Sequence, residues 1–272
     1  MLLGYLSRPG VEKLNKHRYV DAEQIADGDL CKLWENARKF AENRIEERLR
    51  DVAEPLPLNR IERRWVDHLK QDDDQYPLYL LREEPKFYAF ESKTLLVGQP
   101  YIFSDHELQV NVSTVLDVAK CCTRAKTLFD PIAQSDGSIV FANTGPDTVT
   151  TLPVHARRLS ANTVQVSTPI LAQPNYMRVV RTSEGFLLTN GYHRAVSLLK
   201  RKITRLVCML GSEAEEQTFC MARDFLEFDA IRRFRPKLGD FLDPQYAFKL
   251  AIRTYINIVT VQVIVTRTQQ WL

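Results

Sequence analysis

Asn190-Gly191-Tyr192-His193-Arg194 is the stretch of this 272-residue chain whose residue types and spacing point most directly to chemistry. The run Phe186–Thr189 before it reads as a strand, and a helix to about Arg201 follows. A strand-to-helix turn suits an anion for physical reasons. The first amides of a helix lack internal partners and carry the positive end of its dipole. Gly191 has no Cβ, so a ligand can approach its backbone closely. Arg194 can grip an anion with two parallel hydrogen bonds. His193 can donate, accept or shuttle a proton near neutral pH, which makes it the candidate catalytic residue. Asn190, Gly191, Tyr192, His193 and Arg194 together form the candidate phosphate or nucleotide site. The same residues also fit a purely structural turn, with Gly191 serving backbone geometry, Arg194 paired with an acid and His193 a satisfied polar group.

This stretch resembles the signature of the ParB/sulfiredoxin superfamily. There a strand ends in a Gly-x-[His/Arg]-Arg turn opening a helix, followed by an alanine, a basic segment and another strand. Gly191, His193, Arg194 and Ala195 fit that pattern, Leu198 and Leu199 take the helix's apolar positions, and Arg205–Leu210 takes the following strand. The resemblance spans about Asn175 to Leu210. It implies a small α/β domain that holds a nucleotide phosphate at this turn, with phosphoryl transfer or nucleotide hydrolysis as the accompanying activity and Mg²⁺ as the expected companion of the nucleotide. Tyr192 stands where sulfiredoxins place their reactive cysteine, so sulfinic-acid reduction is not expected.

A second chemistry is charge. Residues 1–150 carry 20 Lys+Arg against 25 Asp+Glu, a balance of −5, and residues 151–272 carry 17 against 9, a balance of +8. The C-terminal half is therefore the expected anion-facing part. Lys200, Arg201, Lys202 and Arg205 close the helix after the turn and are the candidate nucleic-acid contacts. Arg232, Arg233, Arg235 and Lys237 form another cluster and Arg157-Arg158 a third; converging, these would track the phosphates of DNA or RNA. No helix-turn-helix, RNA-recognition or zinc-finger pattern accompanies them. A third alternative is a protein-interaction role on a ParB-like fold without the chemistry.

The elements that must position these residues read as mixed α/β (α+β). A helical N-terminal region is expected over 1–72, a β-rich segment with one helix over 73–147, and a ParB/sulfiredoxin-like α/β domain over 148–272. Leu30, Leu33, Trp34, Ala37, Phe40, Ala41, Ile45 and Leu49 predict one amphipathic helix from Asp29 to about Arg50. A short helix should follow Asn59, with Ile61, Trp65 and Leu69 inward. Ser113 or Thr114 should cap a helix to about Phe129, its stripe placing one of Cys121 and Cys122 in the core. Tyr176–Arg181 and Phe186–Thr189 read as a hairpin around Thr182–Gly185. Ser212 and Glu215 have the spacing of a capping box for a helix reaching about Arg233. Asp243-Pro244 marks a further helix start, and Val259–Thr266 alternates as a final strand.

The remaining pattern is quieter. The most apolar stretch, Ile256–Val265, is too short to span a membrane, which needs roughly 20 residues. Met1–Leu6 lacks a basic flank, so no signal peptide is expected. The five cysteines form no metal-type spacing and the scattered histidines none either, so no metal site is expected and the thiols read as reduced and buried in a cytoplasmic protein. Asp72-Asp73-Asp74 reads as a solvated turn.

Overall fold

Two sequence habits build the architecture: amphipathic runs in the first 71 residues and short apolar runs between 86 and 210. The structure, a computed structural model, describes residues 1–16, 27–49, 52–71, 85–102, 112–123, 132–133, 139–143, 149–151, 155–160, 163–167, 170–172, 176–211, 226–248 and 257–261. Its helices are α1 (Arg8–Lys16), α2 (Asp27–Glu42), α3 (Ile45–Leu49), α4 (Arg60–Gln71), α5 (Val115–Cys122), α6 (Tyr192–Lys200) and α7 (Phe228–Phe234). Its strands are β1 (Lys86–Glu91), β2 (Leu96–Val97), β3 (Ile132–Ala133), β4 (Ile139–Asn143), β5 (Val149–Thr151), β6 (His155–Ser160), β7 (Thr163–Ser167), β8 (Ile170–Ala172), β9 (Arg178–Thr182), β10 (Gly185–Asn190), β11 (Arg205–Leu210) and β12 (Asn257–Val261). The chain is thus mixed α/β, with a mixed sheet.

Contacts divide it into two units. One joins Met1–Arg124 to Pro174–Arg253, and the other joins Ala125–Gln173 to Thr254–Leu272. The expected segments 1–72, 73–147 and 148–272 run along the chain, whereas these units are both discontinuous. In the smaller unit β3, β4 and β12 make one antiparallel sheet, and β5 pairs with β8 and β6 with β7. Arg157 and Arg158 are exposed on β6.

The larger unit is organised by a five-stranded sheet in the order β1-β11-β9-β10-β2. β1 runs antiparallel to β11, β11 parallel to β9, β9 antiparallel to β10, and β10 parallel to β2. β11 is inside the sheet, and its interior residues Leu206–Met209 are all buried, as a strand covered on both faces requires. The edges are partly closed by isolated bridges, Leu56 to Ala89 on β1 and Lys237 to Leu96 on β2. Each bridge satisfies backbone groups that would otherwise face water or another chain.

Helix caps follow the sequence. Asn59 Oδ1 accepts from the amides of Ile61 and Glu62 at 2.9 and 3.0 Å, and Glu62 accepts from the Asn59 amide at 2.8 Å. Thr114 and Asp117 form the same reciprocal box on α5. The inward faces differ from expectation in two places. On α4 the buried residues are Glu62, Val66 and Leu69, while Ile61 is 48% exposed. The helix is rolled by about one residue because Glu62 is drawn in to meet Arg205. On α5 both Cys121 and Cys122 are buried, since the helix packs against α4, α6 and β11 at once.

Other expectations end differently. The single helix expected to Arg50 breaks at Asn43-Arg44, and α3 re-aims Arg48 into the core. The Asp243-Pro244 start yields a turn, because Ala247 bridges Leu2 and the Phe248 amide donates to Met1. Residues 212–225, 72–84 and 103–111 lie outside the described ones, as does α5's expected extension to Phe129.

One buried ion pair ties the helical N-terminal layer to the chain after α7. Arg48 donates to both carboxylate oxygens of Asp240 at 2.8 Å, and both side chains are 9% exposed. Tyr5 and the Lys237 amide donate to the same carboxylate at 2.9 and 2.7 Å. The guanidinium lies 4.4 Å from the Tyr246 ring. Arg48→Met leaves the acid buried without its cation and is expected to lower stability by about 3–5 kcal/mol in a urea titration. Arg233→Met, which removes a half-exposed bridge to Glu42, should cost under about 1 kcal/mol; equal losses would disprove the ranking.

Candidate functional site

β10 and β2 are parallel neighbours, so their carboxyl ends open at the same end of the sheet. β10 runs into Asn190-Gly191 and β2 into Gly98-Gln99-Pro100. In open parallel α/β sheets, ligands bind outside the carboxyl ends of the strands; in this mixed sheet β10 and β2 are one parallel pair that shares such an end. In the sequence the second of these loops is the Gly98-Gln99-Pro100 separator between two apolar runs.

Gly191 opens α6 in the left-handed conformation, φ 91°, with no side chain capping the helix. A Cβ there would lie 2.7 Å from Met177 Cγ and 3.4 Å from Arg194 Nη2. The space that glycine leaves is therefore occupied by Met177 and approached by Arg194. Asn190 Nδ2 donates to the Tyr176 carbonyl at 2.8 Å, tying the turn to the residue that leads into β9. Asn190, Gly191 and His193 are half-buried; Tyr192 and Arg194 are buried. The Tyr192 hydroxyl donates to the Leu188 carbonyl. Burial pushes its ionisation far up, partly offset by the backbone of Gly98 and Gln99, which reaches the same hydroxyl. Tyr192 thus links the two loops, and a buried neutral phenol is poorly suited to proton transfer.

Arg194 is where the sequence reading and the structure part most clearly. Its Nη1 donates to the Cys121 carbonyl at 2.8 Å and reaches that of Cys122 at 3.5 Å. These are carbonyls of the last turn of α5, which have no partner within their own helix. A cation placed there also meets the negative end of the helix dipole. The Met177 amide donates to the Cys122 carbonyl at 2.7 Å, so β9, α5 and α6 converge on this carbonyl pair. The thiols below are chemically quiet. Burial raises Cys122 to about 12 and Cys208 well above the ordinary thiol range.

The basic residues do not join the turn. Lys200, Arg201 and Lys202 are exposed at the far end of α6, about 12 Å along the helix from Tyr192. Arg205 is held by Glu62, with Nε to Oε1 at 2.8 Å and Nη2 to Oε2 at 2.9 Å. Arg235 pairs with Glu184 at 2.7 Å, Arg232 with Glu184 at 3.7 Å and Arg233 with Glu42 at 3.2 Å. The C-terminal arginine cluster is thus largely neutralised by acids of its own chain.

No protein-family model matches the chain, and no curated protein or solved structure matches it. Among the described residues no group of three or more His, Cys, Asp or Glu is placed to hold a metal ion, and no helix is long and apolar enough to cross a membrane.

Two outcomes follow from this geometry. Gly191→Ala forces a side chain into positive φ against Met177 and should cost about 1–3 kcal/mol. Arg194→Met strands buried carbonyls and should cost about 2–4 kcal/mol, with Arg194→Lys recovering part of it. Urea denaturation reads both, and a neutral Arg194→Met would refute its role as the cap of α5. The Glu62 carboxyl titrates below its usual range, because the bonds from Arg205 and the Asn59 amide more than offset its burial. Its stabilising contribution is present above the ordinary carboxylate range and is lost as pH falls through the depressed value. Glu62→Gln should therefore flatten the acid limb of the stability profile, and an unchanged limb would contradict this.

Proposed function

We propose that this protein binds a phosphate-bearing ligand, a nucleotide first among them, in the crevice between Gly98-Gln99 and Asn190–His193. The observation that carries the reading is the opening of α6: a left-handed glycine and no side-chain cap, on half-buried residues at the carboxyl end of a strand with a parallel neighbour. The resemblance of Gly191–Ala195 to the ParB/sulfiredoxin turn supports the same ligand class and a ParB-like fold for the surrounding unit. In this reading the amides of Tyr192, His193 and Arg194 meet the phosphate, Asn190 shapes the rim, and His193 contacts the ligand or moves a proton. Arg194 acts from beneath. It anchors the first turn of α6 to α5 and contributes positive potential without gripping the anion. A nucleotide would bring Mg²⁺, which needs only one or two carboxylates from a protein.

A second reading has its own observation. Because Arg194, Tyr192 and Met177 explain most of the turn as packing, the protein can also be an interaction protein that keeps a ParB-like turn for structure alone. Thermal shift across nucleoside triphosphates with Mg²⁺ separates the two. Ligand at about 100 times Kd should add about 2.7 kcal/mol. His193→Ala should keep the fold and lose the shift, whereas an Arg194 variant would confound binding with folding. Phosphate release in the same samples tests turnover. No shift with any nucleotide, in a protein that melts cooperatively, rejects the ligand reading and leaves the interaction reading.

A further inference from the structure

We infer that the solvent face of α4 docks onto the phosphate backbone of a nucleic-acid duplex, independently of the α6 turn. Arg60, Arg63 and Arg64 are all exposed and lie within an arc of about 100° on this 12-residue helix. The opposite side carries the buried Glu62, Val66 and Leu69, so the arc faces directly away from the core. Among the described residues no carboxylate is within ion-pair distance of any of the three arginines. Glu62, the acid of the first turn, is turned inward and held by Arg205. Asp67 is the acid that shares the arc, one turn further on.

This placement runs against the helix's own electrostatics. Cations in the first turns face the positive end of the dipole, where acids are the stabilising choice. Three arginines there, none of them ion-paired to a described carboxylate, are a cost to the isolated fold that a bound polyanion would remove. Lys120 of α5 is exposed, with its ammonium 5.3 Å from the ring of Trp65, and His68 lies 5.6 Å from the same ring.

The chemistry selects the partner. Guanidinium groups on a rigid helix suit phosphates. Trp65 is half-buried, donates to Thr123 at 2.8 Å and is covered by Lys120, so it offers no open stacking platform of the kind single strands use. No helix-turn-helix, RNA-recognition or zinc-finger pattern accompanies these arginines, so the contact is expected to be blind to sequence.

The test uses the full chain and a labelled DNA duplex of about 20 base pairs, with anisotropy followed from roughly 50 to 200 mM salt. Binding should weaken steeply with salt, and the triple substitution Arg60→Gln, Arg63→Gln, Arg64→Gln should lower affinity at least tenfold at the low-salt end while reducing the log–log slope by about 3. Because all three are exposed and face the positive end of the helix dipole, the variant should melt no lower than the parent. Substituting Lys200, Arg201 and Lys202 instead should leave the slope nearly unchanged. Absence of duplex binding at low salt, a slope indifferent to the α4 triple, or capture by phosphatidylserine vesicles in place of the duplex would each overturn the assignment.

Discussion

The hydrogen bonds from Arg194 to the carbonyls at the end of α5 are the constraint on which the centre of the larger unit depends. A guanidinium buried against carbonyls carries its charge into a medium that disfavours it, so the surroundings must be built to accept it. Here they are. The last turn of α5 supplies acceptors and the negative end of a dipole, Gly191 leaves room for the side chain to pass, and Met177 fills what remains. Each of these depends on the others. A side chain at Gly191 would push on both Met177 and Arg194, and a shorter residue at 194 would take the guanidinium from the Cys121 carbonyl.

A second buried cation, Arg48, does comparable work where the N-terminal helices meet the chain after α7. Asp240 is held by Arg48, Tyr5 and the Lys237 amide. Fixing Asp240 fixes the chain from Pro236 to Leu238, which bonds along β2 through Val97 and Leu95. β2 is only two residues long and could not hold its place by pairing with β10 alone. The loop Gly98-Gln99-Pro100 is therefore positioned by an ion pair whose members are 192 residues apart. The two buried arginines thus act on the two loops that follow the parallel strands β10 and β2.

The turn at Asn190–Arg194 was legible because its apolar strand, its glycine and its apolar helical stripe are local, whereas the Met177 and Cys121 contacts that hold it are distant in sequence. The caps at Asn59 and Thr114 were legible for the same reason. What was hidden is what depends on distant partners. Nothing near Glu62 announces Arg205, yet that pair rolls α4 by about one residue and exposes Ile61 in place of burying it. Nothing near Arg48 announces Asp240, yet the break between α2 and α3 aims Arg48 at it. The division into two discontinuous units was invisible because residues 125–173 read as ordinary strands and turns. The chain that returns after it bonds back to the first part of the larger unit, beginning with the Met177 amide on the Cys122 carbonyl.

Charge shows the same limit in its sharpest form. Counting along the chain places the positive surface in the C-terminal half and the negative one in the N-terminal half. Folding redistributes both. Glu42, Glu62 and Glu184 come from three separate places and meet Arg233, Arg205, Arg232 and Arg235, which removes most of the C-terminal cluster from play. The same pairing takes Glu62 away from α4 and leaves Arg60, Arg63 and Arg64 facing water without it. An acid recruited into the core thus creates a basic face on the helix that contributed it. Net charge over a segment measures only the sum, whereas what a partner meets is the remainder after the chain has paired with itself.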